Sequence, residues 1–408
     1  MNADLLLTGI SQLATATEPG PRHGAAMNSL QFIPRAVLAI QHDRIAWVGP
    51  ETEWNGNATE TCDLGDRAII PGLVEPHTHA VWAGERLADF EARSSGKSYE
   101  SILQAGGGVR NTIRATASAE KDELLSLALP RVQALIRSGA TTIEVKSGYG
   151  FTPESEIKIL ETIALLAEKT PARIIATLLI HIPPTNDSSR ADYLDIVCNH
   201  LIPKVAQRKL ATSVDVFVEQ EAWLPEEAEQ VFRAAQARGL SMKLHSEQFH
   251  SIGGLELGVR MHALSIDHLE ACGDESIQTI AASSTVATIL PGVSLHLGIP
   301  AAPGRKLIDA GAAVAVGTDL NPGSSPLYST AEALALAVRL NGLTPREALV
   351  AGTVNAAAAL GLHDTGSIRA GTPADFLVLH GSDWRDLVYE LGTNPVAEVW
   401  IRGKRTTL

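Results

Sequence analysis

The chain has 408 residues, 45% of them hydrophobic and 4% aromatic, and carries a formal net charge of −13 from 33 basic and 46 acidic residues. This length suits one large α/β domain with a smaller one. Because no basic stripe offsets the acidic balance, nucleic acid and anionic membranes are not expected partners, and a small molecule is. Three cysteines without a CxxC pair, and an N-terminus without a basic leader, predict a cytoplasmic protein.

Both ends of the chain are rich in short strand patterns and poor in helical ones. Residues 1–66 contain DLLLTG and AVLAIQHDRIAWVG, and residues 367–408 contain GSIRAGTPADFLVLH and PVAEVWIRG. Alternating apolar residues between glycine and proline breaks are typical of antiparallel strands. The two segments therefore predict one composite β-sandwich domain built from both termini.

Residues 67–366 alternate between short β-branched runs and longer amphipathic segments. The helical patterns PESEIKILETIALLAEKTP, LPEEAEQVFRAAQARG and STAEALALAVRLNG have acidic starts and apolar spacing near 3.6. Eight strand-then-helix units predict a parallel (β/α)8 barrel of the TIM type rather than an open sheet. The eight runs are RAIIPGLVEPHTH, GATTIEVKSG, RIIATLLIHIPP, SVDVFVEQE, LSMKLHSEQ, ALSIDHLE, TVATILPG and AAVAVGTDLNPG.

Polar side chains collect where these predicted strands end, which is where barrel enzymes place their chemistry. Five of the 13 histidines fall there. The residues are His77 and His79 after strand 1, His181 after strand 3, Glu219 after strand 4, His245 after strand 5, His268 after strand 6 and Asp319 after strand 8.

Four of these side chains have the composition of a metal site. Three imidazoles and one carboxylate (His77, His79, His245 and Asp319) suit one divalent or ferric ion with a position left for water. Such an ion lowers the pKa of water and favours hydrolysis, with Asp319 accepting the proton and His268 orienting the water or polarising the substrate. Taken singly, HxH describes two satisfied histidines more often than a metal site, and Asp319 could be a turn or N-cap residue. Their shared position at the strand ends favours the metal.

Two further features have plainer interpretations. The run Gly106–Gly108 lacks a following Lys-Ser/Thr and does not follow a strand, so it predicts a flexible loop over the barrel mouth rather than a phosphate loop. For Glu219, a structural hydrogen bond and a chemical role both stay open.

With these residues in hand, the chain resembles the amidohydrolase superfamily, and within it the imidazolonepropionase family. The superfamily resemblance rests on PGLVEPHTH, the histidine after strand 5, the aspartate after strand 8 and GSIRAGTPADFLVL. The narrower resemblance rests on HTHAVWAGER, QAGGGVRNTIRAT, EVKSGYG, HIPP, LHSEQ, IDHLE and TDLNPGSS, and it covers nearly the whole chain.

The resemblance implies hydrolysis of the ring of 4-imidazolone-5-propanoate to N-formimidoyl-L-glutamate in histidine degradation. The ligands of one zinc or iron ion per subunit would be the four residues already singled out. Arg86 and Tyr149 would hold the propanoate carboxylate, since an anion entering an acidic protein needs a cation with matched geometry. The other residues implied in substrate binding are His181, Gln248, Asn321, Gly323 and Ser324.

One departure and two alternatives accompany this interpretation. Position 248 is glutamine where some relatives carry glutamate, and because an amide cannot titrate, proton transfer is assigned to Asp319 with His268. The first alternative is another mononuclear amidohydrolase, such as a purine or pyrimidine deaminase or another cyclic amidase; a dinuclear enzyme is disfavoured because strand 4 ends at Glu219 without a lysine. The second is a non-catalytic barrel. The apolar helix faces would suit a homodimer.

Overall fold

The fold, taken from a computed structural model that describes residues 1–16, 18–97, 107–184 and 187–407, contains two sheets. Eight strands form an all-parallel sheet in chain order. They are β5 (Leu73–Glu75), β6 (Ala140–Lys146), β7 (Arg173–Ile180), β8 (Ser213–Val218), β9 (Ser241–Ser246), β10 (Ser265–His268), β11 (Val286–Ile289) and β12 (Val314–Val316). Each corresponds to one predicted run, so the eight strands and the barrel class are confirmed.

The first and last barrel strands meet through the residues that follow them. Thr78 and Leu320 form a parallel bridge, and the His79 backbone N–H donates to Leu320 O at 2.9 Å. Below this bridge, Glu75 Oε1 accepts the Thr318 backbone N–H at 3.0 Å. The barrel therefore closes directly beneath the HTH segment.

The second sheet joins the two ends of the chain, as predicted. Its strands, in the order β15-β14-β13-β4-β1-β2-β3, are β1 (Asn2–Thr15), β2 (Gln31–Gln41), β3 (Arg44–Pro50), β4 (Asn57–Pro71), β13 (Phe376–Leu379), β14 (Val396–Ile401) and β15 (Lys404–Arg405). A hydrophobic cluster that includes Leu38, Phe376 and Trp400 packs residues from both termini together. The domain division at residues 66 and 367 stays a prediction.

The first predicted barrel strand is divided between the two sheets. Residues 67–71 belong to β4 of the terminal sheet, and only Leu73–Glu75 belong to the barrel. The chain passes from one to the other at Gly72, where an added Cβ would lie 2.3 Å from Thr141 Oγ1. The sequence does not reveal this change of sheet, because the apolar run is buried on both sides of Gly72.

The helices lie between the barrel strands and after the last one. Pro153–Lys169 begins as the sequence predicted, with Pro153 in its first turn and the Thr152 side chain accepting the Ser155 N–H at 3.3 Å. The other α-helices are Leu87–Ser94, Val109–Ser118, Lys121–Arg137, Asp187–Ile196, Ile202–Gln207, Pro225–Gln236, Gly254–Arg260, Asp274–Ala281, Pro291–Leu297, Gly304–Ala310, Thr330–Leu340, Pro345–Ala351, Val354–Ala358 and Asp386–Tyr389. A π-helical stretch, Val197–Leu201, precedes Ile202–Gln207, and short 3-10 turns cover Gly24–Asn28 and Glu51–Glu53.

The loop predicted at Gly106–Gly108 is only partly described. Gly106, the first residue of the glycine run, lies outside the described residues, while Gly107 and Gly108 directly precede the helix Val109–Ser118. Within the described residues, no helix combines the length and apolar character needed to cross a membrane.

Candidate metal centre and substrate site

The two histidines of the HTH segment face the end of β12 because the two segments pair. The Asp319 N–H donates to His77 O at 3.0 Å, one residue from the Thr78–Leu320 bridge. Asp319 has φ +51°, in the left-handed region that aspartate tolerates better than most residues. This pairing places one carboxylate beside both imidazoles.

Three imidazoles and this carboxylate form a compact buried cluster. The ligand atoms of His77, His79 and His245 all lie within 4.8 Å of one another, and the two Nε2 atoms of His79 and His245 are 3.5 Å apart. Asp319 Oδ1 lies 3.3 Å from His77 Nε2 and 3.2 Å from His79 Nε2. All four side chains are at most 4% exposed.

Two buried aspartates below the cluster fix the orientation of two of the rings. His77 Nδ1 lies 2.6 Å from Asp267 Oδ2, and His245 Nδ1 lies 3.0 Å from Asp215 Oδ1. When each Nδ1 carries a proton that it donates to its aspartate, each Nε2 is left with a lone pair facing the cluster. Lys146 Nζ, 2.8 Å from Asp215 Oδ2 and 3.8 Å from Asp267 Oδ2, offsets the charge of both carboxylates.

The protonation of the cluster follows from burial and charge. Burial lowers the pKa of His79 and holds the pKa of His245 well below its ordinary value. Burial and the charge of Lys146 would also lower the pKa of His77, but the hydrogen bond and charge of Asp267, together with the proximity of Asp319, raise it to about 9. For Asp319, burial acts to raise the pKa, and the close approach and charge of His77 and His79 outweigh burial and hold the pKa well below the usual range.

These residues fit one metal ion. His77 Nε2 and Asp319 Oδ1 are buried and make no hydrogen bond to any described residue, although they face each other. A buried polar atom left without a partner is costly, and a cation shared by the two atoms would remove that cost. Neutral nitrogens with one carboxylate oxygen are the donors that zinc and iron accept.

Two other predicted histidines lie against this cluster. The His268 ring centroid is 5.3 Å from that of His245, and His268 adopts φ +89° at the end of β10. The His181 ring stacks on His79 with centroids 6.1 Å apart, and burial together with the charge of His79 lowers the pKa of His181 to about 3. At neutral pH His181 is therefore a neutral ring.

Arg86, predicted to bind a carboxylate, is nearly buried at the edge of the site. Its Nε donates to Asp89 Oδ2, and its Nη1 lies 3.4 Å from Thr112 Oγ1. A Cβ on Gly323 would lie 3.1 Å from Arg86 Nη1, so the guanidinium abuts the loop after β12. Asp89 therefore covers one edge of Arg86, and Nη1 faces Thr112 and the loop after β12.

Tyr149 reaches the same space from the turn after β6. Its side chain is 4% exposed, and its ring lies 5.8 Å from the ring of His79 and 5.5 Å from that of His181. The structure thus places Tyr149 beside His79 and His181, and its binding of a carboxylate stays a prediction.

The loop after β12 is organised by Asn321. Its Oδ1 accepts the backbone N–H groups of Gly323 and Ser324, both at 2.8 Å, and its Nδ2 donates to Asp319 Oδ2 at 2.9 Å. The backbone amides of Gly323 and Ser324 therefore donate to Asn321, whose side-chain amide also orients the Asp319 carboxylate.

Glu219, which follows β8, binds the turn after β9 that carries Gln248. Gln248 is 8% exposed. Glu219 accepts four hydrogen bonds, from the backbone N–H groups of Gln220, Phe249 and His250 and from His250 Nδ1. Both of its oxygens are used, so the open question about Glu219 is answered in favour of a structural bond.

Three buried charges were not predicted from the sequence: Asp215, Asp267 and Lys146. Each is a charged residue inside an apolar strand, in SVDVFV, SIDH and ATTIEVK, and each is fully buried. A charge in the middle of a strand buried on both faces is a signal for a partner, because an unpaired buried charge is strongly destabilising.

A buried cluster of three histidines and an aspartate at the carboxyl end of a parallel barrel defines a metal-dependent hydrolase. The model of the Amidohydrolase family matches residues 68–406. A relative named imidazolonepropionase from Deinococcus radiodurans is 58% identical over 401 residues, covering 98% of this chain and 99% of that protein, and one from Chloroflexus aggregans is 42% identical over 98% of each. The chain belongs to the imidazolonepropionases of the amidohydrolase family.

Solved structures agree on the fold. An adenosine deaminase from Xanthomonas campestris with bound zinc superposes with a TM-score of 0.73 at 18% identity, covering 99% of this chain and 93% of that one. A guanine deaminase from C. acetobutylicum superposes with a TM-score of 0.70 at 15% identity, covering 98% and 99%. At these identities the likeness concerns the architecture alone.

Proposed function

We propose that the protein hydrolyses the ring of 4-imidazolone-5-propanoate to N-formimidoyl-L-glutamate, a step of histidine degradation. The observation that carries this proposal is the position of Tyr149 beside the metal-ligating His79, with Arg86 against the loop after β12 that also carries Asp319. The chain is also 58% identical to a relative named imidazolonepropionase. A deaminase acting on a neutral base has no need for a cation and a tyrosine at that place.

His77, His79, His245 and Asp319 would hold one zinc or iron ion. Bound there, the ion supplies Lewis acidity that lowers the pKa of water and polarises a carbonyl. Asp267 and Asp215 keep His77 and His245 in the tautomer that leaves Nε2 free for the ion.

The proton transfers fall to Asp319 and His268. Asp319 is ionised at neutral pH, so it accepts the proton of the water that attacks the ring carbonyl carbon and returns that proton to the departing ring nitrogen. Asn321 Nδ2 holds Oδ2 of Asp319, which keeps Oδ1 directed at the imidazoles. His268 donates a hydrogen bond to the oxygen on which negative charge develops.

The site orients the substrate through both of its ends, the propanoate carboxylate and the ring. Arg86 and Tyr149 bind the propanoate carboxylate, Arg86 through the edge that Asp89 leaves open. His181, neutral at physiological pH, and Gln248 contact the ring or the reacting amide. Asn321, Gly323 and Ser324 surround the polar groups of substrate and product.

The experiment follows loss of imidazolone absorbance and identifies the product by mass spectrometry, with and without a chelator. Formation of N-formimidoyl-L-glutamate that stops on chelation is the expected result. Ammonia release from a purine or pyrimidine with no action on the imidazolone acid would instead identify a deaminase. Elemental analysis of the purified protein distinguishes zinc from iron and shows one ion per chain.

A further inference from the structure

A buried glutamate outside the metal cluster organises the turn of residues 147–151, which carries Tyr149 and is called here the Tyr149 turn. Glu156 Oε2 accepts the Gly148 N–H at 2.8 Å, and Oε1 accepts the N–H groups of Gly150 at 2.7 Å and Phe151 at 3.0 Å. Glu156 is 2% exposed. The amides on both sides of Tyr149 are therefore fixed to one carboxylate.

The close approach of Glu156 explains the glycines of SGYG. A Cβ on Gly150 would lie 2.4 Å from the backbone N of Glu156, and Gly148 has φ +108° with Leu179 Cδ2 2.7 Å from its would-be Cβ. Neither position accepts a side chain without moving the turn. The motif thus encodes the turn that Glu156 binds, and through the turn the place of the Tyr149 ring.

A second buried glutamate does the same for residues 247–250, called here the Gln248 turn. Glu219, at 3% exposed, accepts the N–H groups of Phe249 at 2.9 Å and His250 at 3.1 Å through Oε2, and His250 Nδ1 lies 2.8 Å from Oε1. The preceding residue, Glu247, has φ +56°, a strained backbone that persists only when its surroundings hold it. Glu219 restrains the two residues that directly follow Gln248.

We propose that Glu156 and Glu219 are positioning residues that fix two separate parts of substrate recognition: Glu156 the acid chain through Tyr149, and Glu219 the ring through Gln248. This inference rests on the proposed function. Neither glutamate contacts the metal-ligating atoms in the described structure. Glu156 acts through backbone amides and the Ser147 side chain of the Tyr149 turn, and Glu219 acts through backbone amides and His250. The two effects are separable because the turns follow different strands, β6 and β9.

Replacement by glutamine tests this division while preserving volume. Both oxygens of each glutamate accept N–H groups, so an amide must direct its NH₂ at a backbone donor, which removes one bond and adds a repulsion. The variants are Glu156→Gln and Glu219→Gln. The matched control is Glu347→Gln, since Glu347 is also buried and accepts the Thr344 N–H at 2.7 Å, but its other partners are Asn28 and Arg305.

The measurement compares the imidazolone acid with its carboxamide, in which the negative charge is removed and the ring kept. For Glu156→Gln we expect KM for the acid to rise about tenfold with kcat within about threefold, and the preference for acid over carboxamide to fall about tenfold. For Glu219→Gln we expect kcat to fall about tenfold for both compounds with the preference unchanged. The control should lower Tm and leave both parameters as in the wild type.

If a glutamine variant fails to fold, the inference can still be tested, because each turn can also be altered at a residue other than its glutamate. Gly150→Ala displaces the Tyr149 turn from Glu156, and His250→Ala removes only the side-chain donor to Glu219; each should reproduce the pattern of its glutamate in weaker form. If Glu156→Gln changed the kinetics of the acid and the carboxamide equally, as is expected only for Glu219→Gln, this inference alone would be overturned. A wild-type enzyme that leaves the imidazolone acid intact would overturn the proposed function and the inference with it.

Discussion

The two parts of the site are held in place by different means. The metal layer (the four predicted ligands with Asp215 and Asp267) is fixed by side chains that project from the strands into the barrel, where carboxylates, imidazoles and Lys146 neutralise one another. The recognition turns, those of Tyr149 and Gln248, are fixed by backbone N–H groups that converge on Glu156 and Glu219.

This difference has consequences for what a substitution can change. The metal layer consists of buried charges, so loss of one member leaves another uncompensated and affects the whole layer. Each recognition turn lies beside a different strand end. Loss of the glutamate that holds one turn should therefore move only the substrate-binding side chain of that turn. We therefore expect the metal layer to respond as a unit and the turns to respond independently.

The largest effect should come from metal removal. Dialysis against a chelator should reduce turnover to background and lower Tm, because an ion that binds only the folded chain stabilises it by about 4 kcal/mol at a thousand times its Kd. Addition of zinc or ferrous iron should restore both, measured by absorbance and calorimetry. Full activity in a metal-free sample would contradict the assignment of the layer.

Asp319→Asn should be next, since it preserves shape and removes the proton acceptor. We expect kcat to fall roughly 10²- to 10⁴-fold, the range for loss of a general base. Metal content must be measured in parallel, because Oδ1 of Asp319 also faces His77 and His79. Retained metal with normal kcat would exclude Asp319 from proton transfer.

Asp267→Asn and Asp215→Asn test the two carboxylates that hydrogen-bond to the metal-ligating His77 and His245. Each replaces an acceptor of an imidazole Nδ1–H, and we expect metal affinity to fall roughly 10- to 100-fold. Once saturated with metal, these variants should keep the wild-type KM, which competitive titration followed by kinetics can show. A raised KM with unchanged metal affinity would mean that the layer and the turns are not separate.

The sequence predicted the barrel because parallel strands buried on both faces read as continuous apolar runs, as in SVDVFV and TVATIL. It predicted the rim histidines because they follow these runs. It did not predict that residues 67–71 leave the barrel for the terminal sheet, since Gly72 ends one buried strand and begins another without a polar interruption.

The supports of the site escaped prediction for a different reason. Glu156 lies in the first turn of the helix Pro153–Lys169, where acidic residues are common because they interact with the helix dipole. Only coordinates show that it reaches back to Gly148 and Gly150. Pairs such as His77 with Asp267, 190 residues apart, likewise depend on which strands are neighbours across the barrel.

Arg86→Met removes the cation beside the loop after β12 without touching the metal layer. We expect KM for the imidazolone acid to rise roughly tenfold, the loss of a charged hydrogen bond, with metal content unchanged. Arg190→Met is the matched control, because Arg190 pairs with Glu227 and lies over Trp223 instead. Equal KM in both variants would show that another group binds the carboxylate.

The smallest effect should come from Gln248→Glu, which replaces the amide with a titratable carboxyl group. Because proton transfer is assigned to Asp319 and His268, an added carboxyl group at position 248 should change kcat by less than about threefold and leave the shape of its pH profile unaltered. The substitution leaves the Glu219 bonds to the backbone of Phe249 and His250 in place, so the turn itself should not move. A new ionisation in the profile of kcat would mean that a carboxylate at this position can enter the proton path, and the recognition turns would then share the chemistry of the metal layer.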